Sequence, residues 1–262
     1  MDGGSNDGTT DIIRKYEGCF SSWVSMKDGG QYAAIKTGLT KSTGAVMGWL
    51  NADDMLLPGA LKTVAEVFAT FPSVQWISTL APGLWDARGR LAGIQRIPGF
   101  AKRAFIDGLY LPGELARGHW IQQESTFWRR GLWDKVSADA FSNVRLAGDF
   151  ALWAAFYEHA ELYGIEYPLA GFRLMEGQRS QDIETYKSEG REVLSQLRRA
   201  AAPPKRRSNF FTYGRGRDIL PLSDRLSMIV TSRLGYHGRK IVFPDKRNLK
   251  GNWSLVDYKF LP

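Results

Sequence analysis

Asp53 and Asp54 are two adjacent carboxylates directly behind an apolar run, Gly44 to Leu50, and a pair so placed can do chemistry that a lone surface acid cannot. The run is short, apolar and bounded by polar residues, the pattern of a strand buried in a parallel sheet with both faces covered. In α/β sheets ligands gather at the carboxyl ends of strands, where these two acids stand. Hard carboxylate oxygens suit Mg²⁺ or Mn²⁺, ions that keep several waters and bridge to phosphates instead of being caged by protein alone. The competing reading is structural. Asp54 precedes Met55-Leu56-Leu57-Pro58 and a helix predicted to begin near Pro58, so it can serve as an N-cap. On these residues alone both readings stay open.

The elements around the pair narrow the choice. Asp2-Gly3-Gly4-Ser5-Asn6-Asp7-Gly8-Thr9 forms a glycine-rich acidic loop that feeds a helical pattern from Thr10 to Tyr16, with Ile12, Ile13 and Tyr16 on its apolar face. Glycines let the backbone approach a ligand closely and a helix start favours anions, although such clusters also make plain turns. Asp28-Gly29-Gly30 turns into a second helical pattern closing at Gly38, and Trp23 to Met26 reads as a strand before it. The predicted order is loop, helix, strand, helix, strand, acid pair.

Four ordered segments now stand together: Asp-Gly-Gly-Ser-Asn-Asp-Gly-Thr from Asp2, Asp-Gly-Gly-Gln-Tyr-Ala-Ala-Ile from Asp28, Trp-Leu-Asn-Ala-Asp-Asp from Trp49 with Leu-Pro-Gly-Ala-Leu behind it, and Gly-Asp-Phe-Ala-Leu-Trp from Gly148. In these segments the chain resembles the family 2 glycosyltransferases, nucleotide-sugar-dependent enzymes of the GT-A fold, over residues 1–180. The resemblance implies an α/β fold, a GT-A type mixed and mainly parallel sheet flanked by helices. Members normally begin with a strand, a helix and a second strand before the Asp-Gly-Gly-Ser loop. Met1 abuts that loop here, so it reads as an internal methionine, the chain is expected to be N-terminally truncated, and low stability and weak turnover are expected with it. Residues 1–197 are taken as the incomplete glycosyltransferase domain and 198–262 as a basic C-terminal extension.

The same resemblance distributes roles. Asp53 and Asp54 would hold Mn²⁺ or Mg²⁺. Asp2, Gly3, Gly4 and Asp28 would line the nucleotide-sugar pocket together with Asp53, and Asp149 takes the position of the catalytic base in inverting members. Asp149 stands at the mouth of a predicted helix from Phe150 to His159, where an N-cap is the structural alternative. Family members often carry a histidine where Met175 stands. Arg173 and Arg179 are expected to replace it at the leaving phosphates, since a guanidinium matches phosphate oxygens bidentately. Gly118 to Arg130 reads as a strand before a helix start at Gly131. It corresponds to a segment beside the acceptor pocket, where Trp120 can stack on a sugar face and the amides of Gln122 and Gln123 can bond hydroxyls. For Trp128 a place in the core is preferred.

Composition bounds these readings. A chain of 262 residues, 44% hydrophobic, can bury a sizeable core, and its single cysteine, Cys19, excludes an internal disulfide and suits a reducing compartment. No apolar run reaches the length of a membrane span. Residues 198–262 hold 15 Lys/Arg against 4 Asp/Glu, whereas residues 1–197 hold 20 against 23, so the basic charge belongs to the tail. Leu222, Leu226, Ile229, Val230 and Arg233 fall at helical spacing there. Such a helix can lie on an anionic membrane or pack on the domain; nucleic acid is not expected, for no reading motif is present. The expected partners are thus a nucleotide-sugar donor and a saccharide or lipid-linked acceptor. The expected location is cytoplasmic, peripheral at the inner membrane face if the tail binds lipid. Inverting sugar transfer in polysaccharide or glycoconjugate synthesis is the leading reading, against a silent remnant that binds nucleotide or metal weakly.

Overall fold

The structure is a computed structural model that describes residues 1–114, 119–136, 144–200, 235–243 and 252–261. In chain order its principal elements are α1 (Thr9–Lys15), α2 (Gln31–Lys41), β1 (Val46–Met47), β2 (Met55–Leu56), α3 (Ala60–Thr70), β3 (Trp76–Thr79), β4 (Gly83–Trp85), β5 (Leu91–Ile94), α4 (Lys102–Ile106), β6 (Phe127–Arg129), α5 (Arg130–Trp133), α6 (Gly148–His159), β7 (Leu162–Ile165), β8 (Ala170–Arg173), α7 (Ile183–Ala200), β9 (Tyr236–Val242) and β10 (Ser254–Phe260).

Two mixed sheets organise the chain. The larger has the order β1-β6-β3-β7-β9-β10 and the smaller β2-β8-β4-β5. The parallel pairs lie inside: Trp76 faces Leu162 and Thr79 faces Ile165 along β3 and β7, and β7 runs parallel to β9. Every residue of β3 and β7 is buried, as the continuous apolar runs of a sheet covered on both faces require. One face is covered by α3, whose Ala60, Val64, Val67 and Phe68 recur at helical spacing and pack with Ile77, Ile165 and Ile241. The other face receives α6. Eight of its twelve residues are buried, which fits a helix apolar nearly all round and sunk into the core.

An aromatic column joins α6 to the sheet and to the acid pair. Trp153 stacks on Trp49 with ring centroids 5.8 Å apart and on Trp76 at 5.7 Å, and it meets Trp128 edge to face at 5.9 Å. Trp76, Trp128 and Trp153 are almost fully inaccessible, so Trp128 is core as expected. Truncating a buried aromatic of this kind costs about 3–5 kcal/mol. Trp49 stands four residues before Asp53, so the column also anchors the loop that carries the acids.

Several boundaries differ from those expected. The run from Gly44 to Leu50 forms a strand only at Val46–Met47, an edge strand whose outer side borders a cleft of about 370 Å³ lined by Val46, Trp49, Leu56, Val64, Glu124 and Phe127. Trp23 to Met26 contributes only an isolated parallel bridge between Ser25 and Asp2. The helix after Pro58 begins at Ala60 behind Gly59, which adopts φ +82, so Asp54 caps nothing. The face of α1 is unpartnered: Ile12 is 63% exposed, and no residue of α1 is buried. The boundary expected at 197/198 falls inside α7, and β9 and β10 from the basic segment complete the larger sheet. The helical pattern expected from Leu222 to Arg233 lies outside the described residues. Among the described residues no helix is long and apolar enough to cross a membrane.

Candidate functional site

The acid pair sits in the loop between β1 and β2, where the chain passes from one sheet to the other. The structure gives the two carboxylates different work. Asp54 is 5% exposed, its Oδ1 accepts the backbone N–H of Arg173 at 2.9 Å, and its Oδ2 accepts Asn51 Nδ2 at 3.1 Å. Burial pushes its pKa up and the neighbouring Asp53 charge pushes the same way, partly offset by those two donors. Asp53 is only half-buried. Its Oδ2 accepts Gln178 Nε2 at 2.9 Å, and its Oδ1 meets no hydrogen-bond donor among the described residues.

A relay of amides sets the loop. Asn51 Nδ2 also donates to Gln123 Oε1 at 3.0 Å, and Gln123 Nε2 donates to the Trp49 carbonyl at 2.7 Å. Asn51 Oδ1 accepts Gln31 Nε2 from the start of α2, and Gln31 Oε1 in turn accepts Arg179 Nη1 at 2.9 Å. Arg179 Nη2 reaches the Arg145 carbonyl, just before α6. One chain of hydrogen bonds thus runs from the acid pair through α2 to the loop that precedes Asp149.

Asp149 lies in the first turn of α6. Its Oδ1 accepts its neighbour's N–H, from Phe150, at 2.8 Å and the hydroxyl of Tyr186 at 3.2 Å. Enclosure by protein raises its pKa to about 6, the two donors holding it from going higher. Tyr32 closes one side: its hydroxyl donates to the Leu146 carbonyl at 2.5 Å, and a Cβ on Gly148 would fall 2.4 Å from its ring, so the close fit needs glycine there. Glu124 lies among the acids. It is 4% exposed, its Oε1 has no partner, and burial with the charges of Asp54, Asp149 and Asp53 raises its pKa to about 8. Glu124 thus lies within electrostatic reach of all three aspartates.

Residues 1–107 match the family model for glycosyl transferase family 2. Two relatives are uncharacterized glycosyltransferases of Mycobacterium tuberculosis, from strains CDC 1551 / Oshkosh and ATCC 25618 / H37Rv. Each is 31% identical over 117 residues, a stretch covering 41% of this chain and 40% of the relative, so the chain spans about two fifths of their length. Among solved structures, S. aureus TarS 1–349 in complex with UDP-GlcNAc aligns with 75% of this chain and 60% of its own, at 13% identity and a TM-score of 0.45.

Within the family 2 segment, Asp2 is committed to its own loop. Its carboxylate accepts the hydroxyls of Ser25 and Ser5 and the N–H groups of Ser5 and Gly4, and these bonds, Ser25 first, hold it well below the usual carboxylate range. Gly4 adopts φ +86 to close that turn, while a Cβ on Gly3 would stand 3.5 Å from the Asp28 carboxylate. Asp28 is exposed and accepts the N–H of Gly30 ahead of α2.

Beyond the segment one expectation is corrected. Gln122 and Gln123 do not offer amides to an acceptor, because both are buried and engaged: Gln122 Nε2 donates to the Gly83 carbonyl at 2.9 Å and its Oε1 accepts Ser125 Oγ, while Gln123 serves the Asn51 relay. Gln122 to Thr126 is a wholly buried polar stretch that can be buried only by satisfying itself inward. Trp120 remains partly exposed. Arg179 is exposed and ties Gln31 to Arg145; Arg173 sends its backbone to Asp54 and keeps a buried Nε without a partner. Asn51, Gln31, Gln178, Tyr32, Glu124, Tyr186 and Glu189 were not singled out from sequence. Their only sequence signal is closeness to the motifs, and it is lacking altogether for the last two.

Proposed function

We propose that the protein is an inverting glycosyltransferase that moves a sugar from a nucleotide-diphosphate sugar to an acceptor hydroxyl in polysaccharide or glycoconjugate synthesis. The observation that carries this reading is Asp149, an enclosed carboxylate with a pKa of about 6, whose preceding loop is tied by hydrogen bonds to the loop of the acid pair. At neutral pH it is mostly ionised, yet far more basic than an ordinary aspartate, which is the compromise a general base needs. The acceptor oxygen attacks the sugar C1 as the C1–oxygen bond to the diphosphate breaks. Asp149 takes the hydroxyl proton, and the bonding pair leaves with the nucleoside diphosphate. The transition state resembles that of glycoside hydrolysis.

Asp53 and Asp54 fit a hard divalent cation, Mn²⁺ or Mg²⁺. Asp53 keeps one carboxylate oxygen clear of protein donors, and the orphaned Glu124 Oε1 marks a region crowded with negative charge. Among the described residues no three His, Cys, Asp or Glu side chains are arranged to hold a metal, so water and substrate phosphate would complete the shell. When bound, such an ion neutralises the charge that develops on the leaving diphosphate. Gln178 and Asn51 orient the two carboxylates, Asp2, Gly3, Gly4 and Asp28 shape the donor side, Arg173 and Arg179 face the phosphates, and Trp120 offers a stacking surface to the acceptor. A cytoplasmic site in peripheral contact with anionic membrane suits a lipid-linked acceptor; the segment expected to make that contact lies outside the described residues.

A panel of nucleotide-diphosphate sugars incubated with saccharide and lipid-linked acceptors, with Mn²⁺ or with chelator, tests the proposal. Mn²⁺-dependent transfer that falls about 10²–10⁴-fold in Asp149→Asn is expected. A second reading, weak binding of nucleotide or metal without turnover, is favoured by one observation: residues 1–38 contain no buried residue, so little fixes the donor loop. Nucleotide binding by calorimetry with no transfer from any donor establishes that reading instead.

A further inference from the structure

We propose that α7 is a positioning element for Asp149, acting through Tyr186, whose hydroxyl donates to Asp149 Oδ1, and through Glu189, whose carboxylate gathers the chain entering α6. The inference rests on the general-base reading of Asp149, and it assigns a task to a helix that lies wholly outside the residues matched by the family.

Glu189 accepts three consecutive backbone N–H groups, from Arg145 at 2.9 Å, Leu146 at 2.8 Å and Ala147 at 2.9 Å. Those are groups at a helix start that no side chain of α6 itself caps, since Ala147 occupies the N-cap position. A carboxylate at a helix N-terminus is favoured by both the free N–H groups and the helix dipole. Partial burial pushes Glu189 upward, but the three N–H donors and the Arg145 charge outweigh it, so the group stays ionised below the ordinary range. Asp149 follows Ala147 by two residues, so pinning this turn fixes the direction in which the Asp149 carboxylate points.

Tyr186 stands one turn before Glu189 on the same helix, and α7 is held against the core by Gly190, Leu194 and Leu197. A Cβ on Gly190 would stand 2.4 Å from Leu111, so the close approach of α7 is built in. The hydroxyl of Tyr186 favours the ionised form of Asp149, against the enclosure that favours the neutral one. The other titratable groups that feel the Asp149 charge are Tyr32 from α2 and Glu124 from the turn before β6. A side chain serving only as packing would alter stability and leave the titration of Asp149 where it was.

The test follows the Asp149 carboxyl by ¹³C NMR across pH in the full chain, assigned with Asp149→Asn, beside the pH profile of sugar transfer. In Tyr186→Phe, which keeps the ring, the Asp149 midpoint and the acid limb of kcat/KM are expected to rise by about one pH unit, with the donor KM unchanged. In Glu189→Gln, hydrogen exchange at Arg145, Leu146 and Ala147 is expected to quicken at least about tenfold, and kcat to fall with the donor KM held. An Asp149 midpoint that stays put in folded Tyr186→Phe overturns the role of Tyr186, and unchanged exchange in Glu189→Gln overturns that of Glu189. A midpoint that moves in a protein showing no sugar transfer upholds the positioning and refutes the reaction instead.

Discussion

Replacing Asp149 by asparagine should make the protein more stable while disabling it. The folded chain holds this carboxyl at a pKa of about 6 against an ordinary 3.8, chiefly through burial. A group whose pKa is raised on folding contributes stability below its unfolded value and loses it as pH climbs through the folded value. About two pH units of separation, at 1.36 kcal/mol each, make the ionised form cost the native state about 3 kcal/mol at pH 8. Asparagine keeps an oxygen for the Phe150 N–H and the Tyr186 hydroxyl and carries no charge. The variant should therefore gain up to about 3 kcal/mol over the parent at pH 8, about 6–12 °C in Tm, and almost nothing at pH 4. Thermal and urea melts of both proteins at the two pH values measure this directly. An N-cap aspartate predicts the opposite, a loss or no change on substitution, so an Asp149→Asn variant no more stable at pH 8 than its parent refutes the argument.

Other consequences follow from the same contacts. Glu124→Gln in metal-free buffer should remove a stability loss that the parent suffers as pH rises from 4.5 through about 8; parallel pH-dependent melts of parent and variant contradict the buried carboxyl with its orphaned Oε1. Gly148→Ala forces a methyl to within 2.4 Å of the Tyr32 ring and should cost about 1–3 kcal/mol, with Tyr32→Leu recovering part of it in the double variant; a Gly148→Ala melt at the parental temperature argues against the close fit. Gln178→Ala releases Asp53 Oδ2 and should weaken Mn²⁺ binding about 10-fold or more by calorimetry, whereas an unchanged affinity removes Gln178 from the support of the acid pair.

What could be read from sequence was chemistry that is local. The acid pair declares itself because two adjacent carboxylates follow an apolar run, and Asp149 because the Gly-Asp-Phe-Ala-Leu-Trp segment resembles the family's motif at the mouth of a predicted helix. Their supports were not legible. Gln178 meets Asp53 across 125 residues and Glu189 meets Ala147 across 42, and a glutamine in a loop or a glutamate on an amphipathic helix looks like any solvated polar residue until the fold brings its partner. Gln122 and Gln123 misled for the converse reason: amides beside tryptophans suggest a sugar pocket, while only the fold shows that Gly83 and Asn51 already occupy them. The strand at Tyr236 to Val242 was hidden by charge. Its buried residues Tyr236, Gly238 and Ile241 do not keep a strict two-residue alternation, and His237, Arg239 and Lys240 between them make it read as part of a basic tail.

The convergence of Asp53, Asp54 and Asp149 on one region is tested most directly by paramagnetic broadening from Mn²⁺. With carboxyl-labelled protein titrated with Mn²⁺, the resonances of Asp53, Asp54, Glu124 and Asp149 should broaden together at substoichiometric ion, while Asp257 on β10 stays sharp. An Asp149 resonance as sharp as that of Asp257 when Asp53 has broadened away would mean that the base and the acid pair do not share a site.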